Sequence, residues 1–234
     1  MKKILCILLC FVFLFSGAYA VDLSKENCKT SNLHGAAMTA LKTNRYDGTR
    51  PLIIFFPGSQ EVTSAYAATG FVRNHHLYDD IDCDLIIITL GQRFDHYDFK
   101  NAVAYLFKFV TETYQDTPVT IIADAVSFGG YGGCYLADYF TKNGLPVAEL
   151  NLADACGAYC IKADWIRSIA GAGTHVNIWG CYTTATISKE TRAIMGELEG
   201  TDNYTGTMVN AGHASVLDLA IRDFNLHAEF ENAT

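Results

Sequence analysis

The chain has 234 residues and a formal net charge of −8 at pH 7, with 17 Lys and Arg against 25 Asp and Glu. An acidic surface repels nucleic acid and anionic membranes, so we expect neither as a partner. The length and a hydrophobic fraction of 50% are typical of one domain with a sizeable core.

The first 20 residues have the pattern of a signal peptide. Lys2 and Lys3 precede an uncharged apolar stretch at 4–15, and the small residues S-G-A-Y-A follow it. This stretch is shorter than the roughly 20 residues that cross a bilayer, although an N-terminal membrane anchor is the alternative. We expect cleavage after Ala20, a single domain at 21–234 without an integral membrane segment, and a secreted or periplasmic, extracytoplasmic location.

Apolar runs alternate with helical patterns along the rest of the chain. Residues 21–48 are polar and mixed, and we expect an irregular lead-in with one short helix at most. Apolar runs typical of strands buried on both faces lie at 51–56, 84–90, 119–123 and 147–153, with weaker strand patterns at 175–180 and 206–210. Helical spacing of apolar residues occurs at 99–113, 129–142 and 216–224. The alternation predicts an α/β fold, a three-layer sandwich with a mostly parallel sheet of about six strands and helices on both faces.

One serine stands where a predicted strand meets a predicted helix. In A-D-A-V-S-F-G-G, Ser127 has the small residues Ala125 and Gly129 two positions before and after it. A strand that turns sharply into a helix brings the two elements close together, which requires small neighbours there and leaves the hydroxyl exposed at the helix N-terminus. The pattern predicts a nucleophile, with a helix-capping Ser as the alternative. Asp124 is expected to support the turn.

Eight cysteines are present, of which Cys6 and Cys10 lie in the leader. An even number of cysteines in an exported chain favours disulfides. The other six allow 15 pairings, so the connectivity stays open. A disulfide among Cys156, Cys160 and Cys181, which follow two strands predicted to be neighbours, would brace the wall of the site, and Cys134 is a candidate for a buried free thiol. The other two are Cys28 and Cys83. The chain has no C-x-x-C pair, and His75, His76 and His96 lack a third ligand at sensible spacing, so no metal is expected.

Three segments, taken in chain order, resemble the α/β-hydrolase superfamily and in particular its small secreted esterases, lipases and cutinase-like serine hydrolases. They are I-I-F-F-P-G-S-Q-E at 53–61, the turn around Ser127, and M-V-N-A-G-H-A-S-V-L-D at 208–218. The resemblance implies that Ser127 attacks a carbonyl carbon, that His213 is the base, and that the backbone N–H groups of Phe128 and Ser59 form the oxyanion hole. Pro57 stands where the family usually has His.

The acid of the catalytic triad is the member that departs from the family pattern. The family usually places it after the seventh strand, but W-G-C-Y-T-T-A-T at 179–186 contains no carboxylate. Some lipases place the acid after the sixth strand, and Asp154 follows the run at 147–153. Carboxyl ends of parallel strands form the site edge of such sheets. Asp154 is therefore the predicted acid, and Asp202 is the second candidate.

The resemblance implies a secreted serine hydrolase that cleaves carboxylic esters through an acyl-enzyme and needs no cofactor. Its substrate would be a small-molecule, lipid or polymer ester. The short segment after the sixth strand leaves little or no lid, which favours an esterase or cutinase-like enzyme over a lid-gated lipase. Two alternatives remain open: an inactive binding protein with a hydrolase fold, and a peptidase or amidase on the same fold.

Overall fold

The computed structural model describes residues 28–33, 36–41, 48–58, 70, 72, 78, 83–90, 96–115, 117–156, 161–213, 215, 216, 219 and 220. Its strands are β1 (Cys28–Leu33), β2 (Ala36–Leu41), β3 (Leu52–Phe56), β4 (Asp84–Leu90), β5 (Ile121–Val126), β6 (Glu149–Ala153), β7 (His175–Cys181) and β8 (Tyr204–Val209). Its α-helices are α1 (His96–Tyr114), α2 (Gly130–Lys142), α3 (Ala163–Gly171) and α4 (Thr186–Glu197), and a 3₁₀ turn spans Ser127–Gly129.

The described strands form one sheet with the order β1-β2-β4-β3-β5-β6-β7-β8. The six strands from β3 to β8 are all parallel, which confirms the predicted mostly parallel sheet. The observed strands follow the predicted apolar runs closely, with β5 continuing to Val126 directly before Ser127.

The lead-in is the part of the fold that was predicted wrongly. Within residues 21–48, β1 and β2 pair antiparallel, and β2 pairs antiparallel with β4 at the edge of the parallel sheet. β1 (C-K-T-S-N-L) is polar and lies at the edge of the sheet. β2 (A-A-M-T-A-L) lies between β1 and β4 and is rich in Ala, which is less common in strands than the β-branched residues of the central runs. Only two residues, His34 and Gly35, separate β1 from β2, which is a hairpin spacing that could have revealed the pair.

Two apolar clusters cover the two faces of the sheet. One joins alternate strand residues such as Ile54 and Leu150 to the four α-helices. The other joins the opposite residues, such as Phe55 and Trp179, to Val216 and Ala220 in the helical segment that begins at His213. The described part of the chain contains no helix with the length and hydropathy needed to cross a bilayer.

Glycines let the start of α2 lie against the ends of the central strands. A Cβ on Gly129 would stand 2.0 Å from the carbonyl oxygen of Phe56 at the end of β3. A Cβ on Gly130 would stand 2.2 Å from the carbonyl oxygen of Ala155, just after β6. Both neighbours are backbone atoms, which cannot rotate away as a side chain could. The loops after β3 and β6 are therefore held directly against the turn that follows β5.

A buried row of polar side chains crosses the middle of the sheet. Asn177 donates to Asn151 Oδ1 at 2.9 Å, Asn151 donates to Asp124 Oδ1 at 2.8 Å, and the Tyr78 hydroxyl donates to Asp124 Oδ2 at 2.6 Å. Asp124, Asn151 and Asn177 are adjacent in the strand register. The prediction that Asp124 supports the turn is therefore wrong, because its side chain serves this row inside β5. Buried polar groups need such partners, since an unpaired one costs about 1–3 kcal/mol.

Replacing Gly130 by Ala should destabilise the fold, whereas replacing Gly196 by Ala should stabilise it. Gly130 meets backbone within 2.2 Å of a new Cβ, but Gly196 lies exposed in α4 with nothing within 4 Å. Removing a helical glycine in open space typically stabilises by about 0.5–1 kcal/mol. Urea unfolding of both variants measures the difference. Equal changes in the free energy of unfolding would show that the close approach at Gly130 does not constrain the structure.

Asp124 should make the fold less stable as the pH rises from about 4 to 7. Burial raises the pKa of its carboxyl to about 7, against smaller lowering effects of the hydrogen bonds from Tyr78 and Asn151. An unfolded Asp has a pKa of about 3.9, so the folded chain keeps a proton that the unfolded chain releases. The free energy of unfolding should then fall by about 1.4 kcal/mol per pH unit through this group.

Asp124→Asn keeps a neutral hydrogen-bonding side chain and should remove that slope, as measured by urea unfolding at several pH values between 4 and 7. Asp164→Asn is the matched control, because the side chain of Asp164 is 92% exposed. An unchanged slope in Asp124→Asn would mean that this carboxyl does not hold a proton in the folded chain.

Candidate active site

Ser127 lies at the turn between β5 and α2, as predicted. It begins the 3₁₀ turn that leads into the helix, and its φ is 49°, in the left-handed region. A residue with a side chain held in a sparsely populated backbone region costs about 1–3 kcal/mol, so surrounding contacts must maintain it. The close approach of Gly129 to β3 supplies one such contact. The turn aims the hydroxyl away from the sheet at the N-terminal end of the helix.

Asp154 follows β6 at the same edge of the sheet. The registers align Val126, Ala153 and Trp179, the residues at or near the ends of three neighbouring strands. Asp154 also has a positive φ, 44°, and its N–H donates to the Trp179 carbonyl at 2.7 Å. Its side chain is fully buried, at 0% exposure. A buried carboxylate needs hydrogen-bond donors, because loss of hydration would otherwise neutralise it.

His213 joins the other two side chains. It lies after β8, where the last helical segment begins. Its Nδ1 is 2.6 Å from Asp154 Oδ2, and its Nε2 is 3.1 Å from Ser127 Oγ. An ionised carboxylate only accepts hydrogen bonds, so Nδ1 carries the ring proton and Nε2 is free to accept the Ser127 proton. The imidazole side chain is 35% exposed, so solvent and a ligand can reach it.

Hydrogen bonds keep Asp154 ionised despite its burial. Burial by itself raises the pKa of the carboxyl, but hydrogen bonds from His213, Ser188 and Cys181 outweigh it and leave the pKa below its usual value. An anionic Asp154 fixes the tautomer of His213 and favours an imidazolium at that position. The arrangement is thus able to move a proton from the serine hydroxyl to the imidazole.

The structure describes one of the two backbone N–H groups that were predicted to bind an oxyanion. The backbone N–H of Phe128 directly follows Ser127 in the first turn. A Cβ on Gly58 would stand 2.6 Å from Phe128 N and 2.7 Å from Ser127 Cβ, so the loop after β3 passes directly beside this turn. Ser59, the other predicted N–H donor, lies outside the described residues.

The two candidates for the acid differ in their distance from His213 and in the edge of the sheet at which they lie. Asp154 contacts His213, whereas Asp202 is exposed in the turn before β8. That turn lies at the amino ends of the parallel strands, opposite the edge that carries Ser127. His75 and His76 lie outside the described residues, and His96 is the first residue of α1. The described residues contain no group of three or more His, Cys, Asp and Glu side chains placed to hold a metal ion.

The disulfide considered among Cys156, Cys160 and Cys181 is not formed. Such a bond needs Cys156 or Cys181, and both are buried free thiols, as is Cys134. The Cys181 thiol instead donates toward Asp154 Oδ2 at 3.3 Å. Cys134 was expected to be a candidate for a buried free thiol, and this is confirmed. Cys160 and the side chain of Cys28 lie outside the described residues.

Two side chains near Asp154, Ser188 and Thr183, were missed by the sequence analysis. Ser188 donates to Asp154 Oδ2 at 2.5 Å, Thr183 donates to Ser188 at 2.7 Å, and Cys181 lies beside both. They belong to C-Y-T-T-A-T-I-S at 181–188, where β7 ends and α4 begins. The only sequence signal was a run of small hydroxyl residues at the expected site edge, where a carboxylate was sought.

No protein-family model matches the chain, and no curated protein does either. Solved structures do resemble it. A protein of unknown function from Agrobacterium tumefaciens has a TM-score of 0.63 and 10% identity over 86% of this chain and 94% of that chain. An alpha-beta hydrolase from Vibrio vulnificus has a TM-score of 0.56 and 16% identity over 88% of this chain and 80% of that chain. A bacterial heroin esterase has a TM-score of 0.56 and 10% identity over 95% of this chain and 88% of that chain. At these identities the likeness concerns the backbone, and it shows that this chain has the α/β-hydrolase fold.

Proposed function

We propose that the chain is a serine hydrolase that cleaves carboxylic esters through an acyl-enzyme. One observation carries the proposal: side chains from three separate connections meet as Ser127, His213 and Asp154, with contacts of 3.1 and 2.6 Å. Ser127 and His213 are 86 residues apart in the chain, and His213 and Asp154 are 59 apart. A serine, a base and an orienting acid in this relation are the requirement for nucleophilic catalysis.

The proposed reaction has two stages. Ser127 Oγ attacks the ester carbonyl carbon while His213 Nε2 takes the hydroxyl proton, and Asp154 stabilises the imidazolium. The imidazolium then gives that proton to the leaving alcohol, and the acyl group stays on Ser127. In the second stage His213 takes a proton from water, whose oxygen attacks the acyl carbon, and Ser127 recovers its proton as the acid leaves.

Two backbone N–H groups would stabilise the negative oxygen of each tetrahedral intermediate. Phe128 N–H is one, because it follows Ser127 at the start of the helical turn, where the peptide dipoles favour negative charge. Ser59 N–H is the other, by the resemblance of 53–61 to the oxyanion loop of the family. Loss of one such donor typically costs about 2.7–4 kcal/mol of barrier.

The proposed substrate is a small-molecule, lipid or polymer ester, and the enzyme is proposed to act outside the cytoplasm. The esterase named among the structural neighbours supports an ester, although only by likeness of fold. The leader at 1–20 supports export, with the small secreted esterases as the nearest functional type. We expect no nucleic-acid partner and no cofactor in the reaction itself.

Ser127→Ala should abolish hydrolysis of short p-nitrophenyl esters, lowering kcat by about 10³–10⁶-fold, because the acyl acceptor is removed. It should also stop covalent labelling by a fluorophosphonate probe. Ser168→Ala is the matched control, since Ser168 is an exposed residue of α3. Labelling that persists in Ser127→Ala would place the nucleophile elsewhere. A wild-type chain that neither labels nor turns over esters or amides would favour the inactive binding protein.

Asp154→Asn should lower kcat by about 10⁴-fold, because a neutral amide no longer fixes the His213 tautomer or balances the imidazolium. Asp202→Asn should leave kcat within about twofold, since Asp202 is exposed at the opposite edge of the sheet. Steady-state kinetics on one p-nitrophenyl ester measures both. The reverse ranking of the two variants would reject Asp154 as the acid.

A further inference from the structure

The connection between β7 and α4 surrounds the carboxylate of Asp154 with hydroxyl groups. Ser188 lies in the first turn of α4 and is fully buried, at 0% exposure. Its Oγ is 2.5 Å from Asp154 Oδ2, and the Thr183 hydroxyl lies 2.7 Å from Ser188 Oγ. The connection at 182–185 contains no carboxylate.

The direction of these hydrogen bonds follows from the donors available. The Asp154 carboxylate can only accept, so the single proton of Ser188 must point at Oδ2. Ser188 then accepts from Thr183. The bonds therefore run one way, from Thr183 to Ser188 to Asp154, and meet the bond from His213 Nδ1 at the same oxygen.

The two carboxylate oxygens of Asp154 differ in the hydrogen bonds that they accept. Oδ2 faces donors from His213, Ser188 and Cys181, whereas Oδ1 is buried and has no hydrogen-bond partner among the described residues. A carboxylate with free rotation would share its donors between both oxygens. Bonds on one oxygen from two different elements instead set the rotation of the carboxyl group and concentrate its negative charge beside the imidazole.

We propose that Ser188 is a positioning residue for Asp154, holding the carboxylate in the orientation that His213 requires. Its consequence for turnover rests on the proposed function, but the effect on Asp154 itself does not.

Other groups around the carboxylate do not account for the same effect. The Cys181 thiol is a weak donor at 3.3 Å, against 2.5 Å for the Ser188 hydroxyl. Burial raises the pKa of the nearby Cys156 thiol, which keeps it neutral. Arg192 donates to the carbonyl oxygens of Cys181 and Thr183 and so holds the connection in place. Among the described residues, His213 is the remaining titratable neighbour, and its Nδ1 contacts the same oxygen, Oδ2, as Ser188 does.

The test compares Ser188→Ala and Ser188→Cys in the full chain, with Ser168→Ala as the exposed control. The protein is labelled with ¹³C at its Asp carboxyl carbons, and the chemical shift of the Asp154 carboxyl is measured by NMR as a function of pH. The Asp154 signal is identified as the one that disappears in Asp154→Asn. Ser188→Ala should raise the titration midpoint of that signal by about 1 pH unit, because a donor to the charged form is lost. Ser188→Cys should give a smaller rise, since a thiol is a weaker donor.

Ester hydrolysis gives the second readout. Ser188→Ala should lower kcat by about tenfold with KM within about twofold, and Ser188→Cys should fall between it and wild type. A merely structural role would change stability without moving the Asp154 midpoint. An unmoved midpoint in a folded Ser188→Ala overturns the proposal, whether or not the chain hydrolyses esters.

If Ser188→Ala does not fold, Thr183→Val tests the proposal instead, because it leaves Ser188 in place and removes only the Thr183 hydroxyl that donates to it. The Asp154 midpoint should then rise by a few tenths of a pH unit, and no rise overturns the proposal. A midpoint that shifts in a chain whose wild type has no esterase activity would keep the positioning role and reject the proposed function.

Discussion

The hydrogen bond between the buried Asp154 carboxylate and the Nδ1–H of His213 is the interaction on which the site depends. A carboxylate without water is costly, and it stays charged only because donors replace its hydration. Those donors come from the segment after β8 and from the connection between β7 and α4. Satisfying one buried charge therefore draws three sheet-edge connections together, and the same contact orients the imidazole toward Ser127.

The backbone around the site is constrained as tightly as the side chains. Ser127 and Asp154 both have positive φ, a conformation that side-chain-bearing residues adopt at a cost. The turn after β5 cannot relax, because Gly129 lies against the Phe56 carbonyl and Gly130 against the Ala155 carbonyl. Gly130 in addition ties the turn at Ser127 to the residue that follows Asp154. Packing of the first turn of α2 thus sets the distance between the connections that carry the serine and the acid.

The charged and polar interior divides into two separate regions. At the carboxyl edge of the strands, donors hold Asp154 ionised next to the imidazole. In the middle of the sheet, Asp124 bridges Tyr78 and Asn151, and burial raises its pKa to about 7. The two aspartates thus differ in pKa because burial outweighs the two hydrogen bonds to Asp124, whereas the hydrogen bonds to Asp154 outweigh its burial. Only Asp154 belongs to the proposed chemistry.

The local sequence determined the central architecture and two of the site residues. Continuous apolar runs predict buried parallel strands, and small residues around Ser127 predict the sharp turn, because both depend on neighbours within a few positions. The order of the segments placed His213 after the last strand. The pair β1 and β2 escaped prediction, because β1 is a polar edge strand and β2 is rich in Ala, a weak strand former.

The position after a predicted strand favoured Asp154, but only the tertiary structure showed that it meets His213, which thiols stay unpaired and what surrounds the acid. Asp154 and Asp202 are equally plausible by residue type, and only strand direction puts them at opposite edges. Ser188 lies 34 residues from Asp154 in the chain, and Cys181 lies 27 residues from it. Contacts over such separations depend on the register of neighbouring strands, which no local pattern of residues specifies.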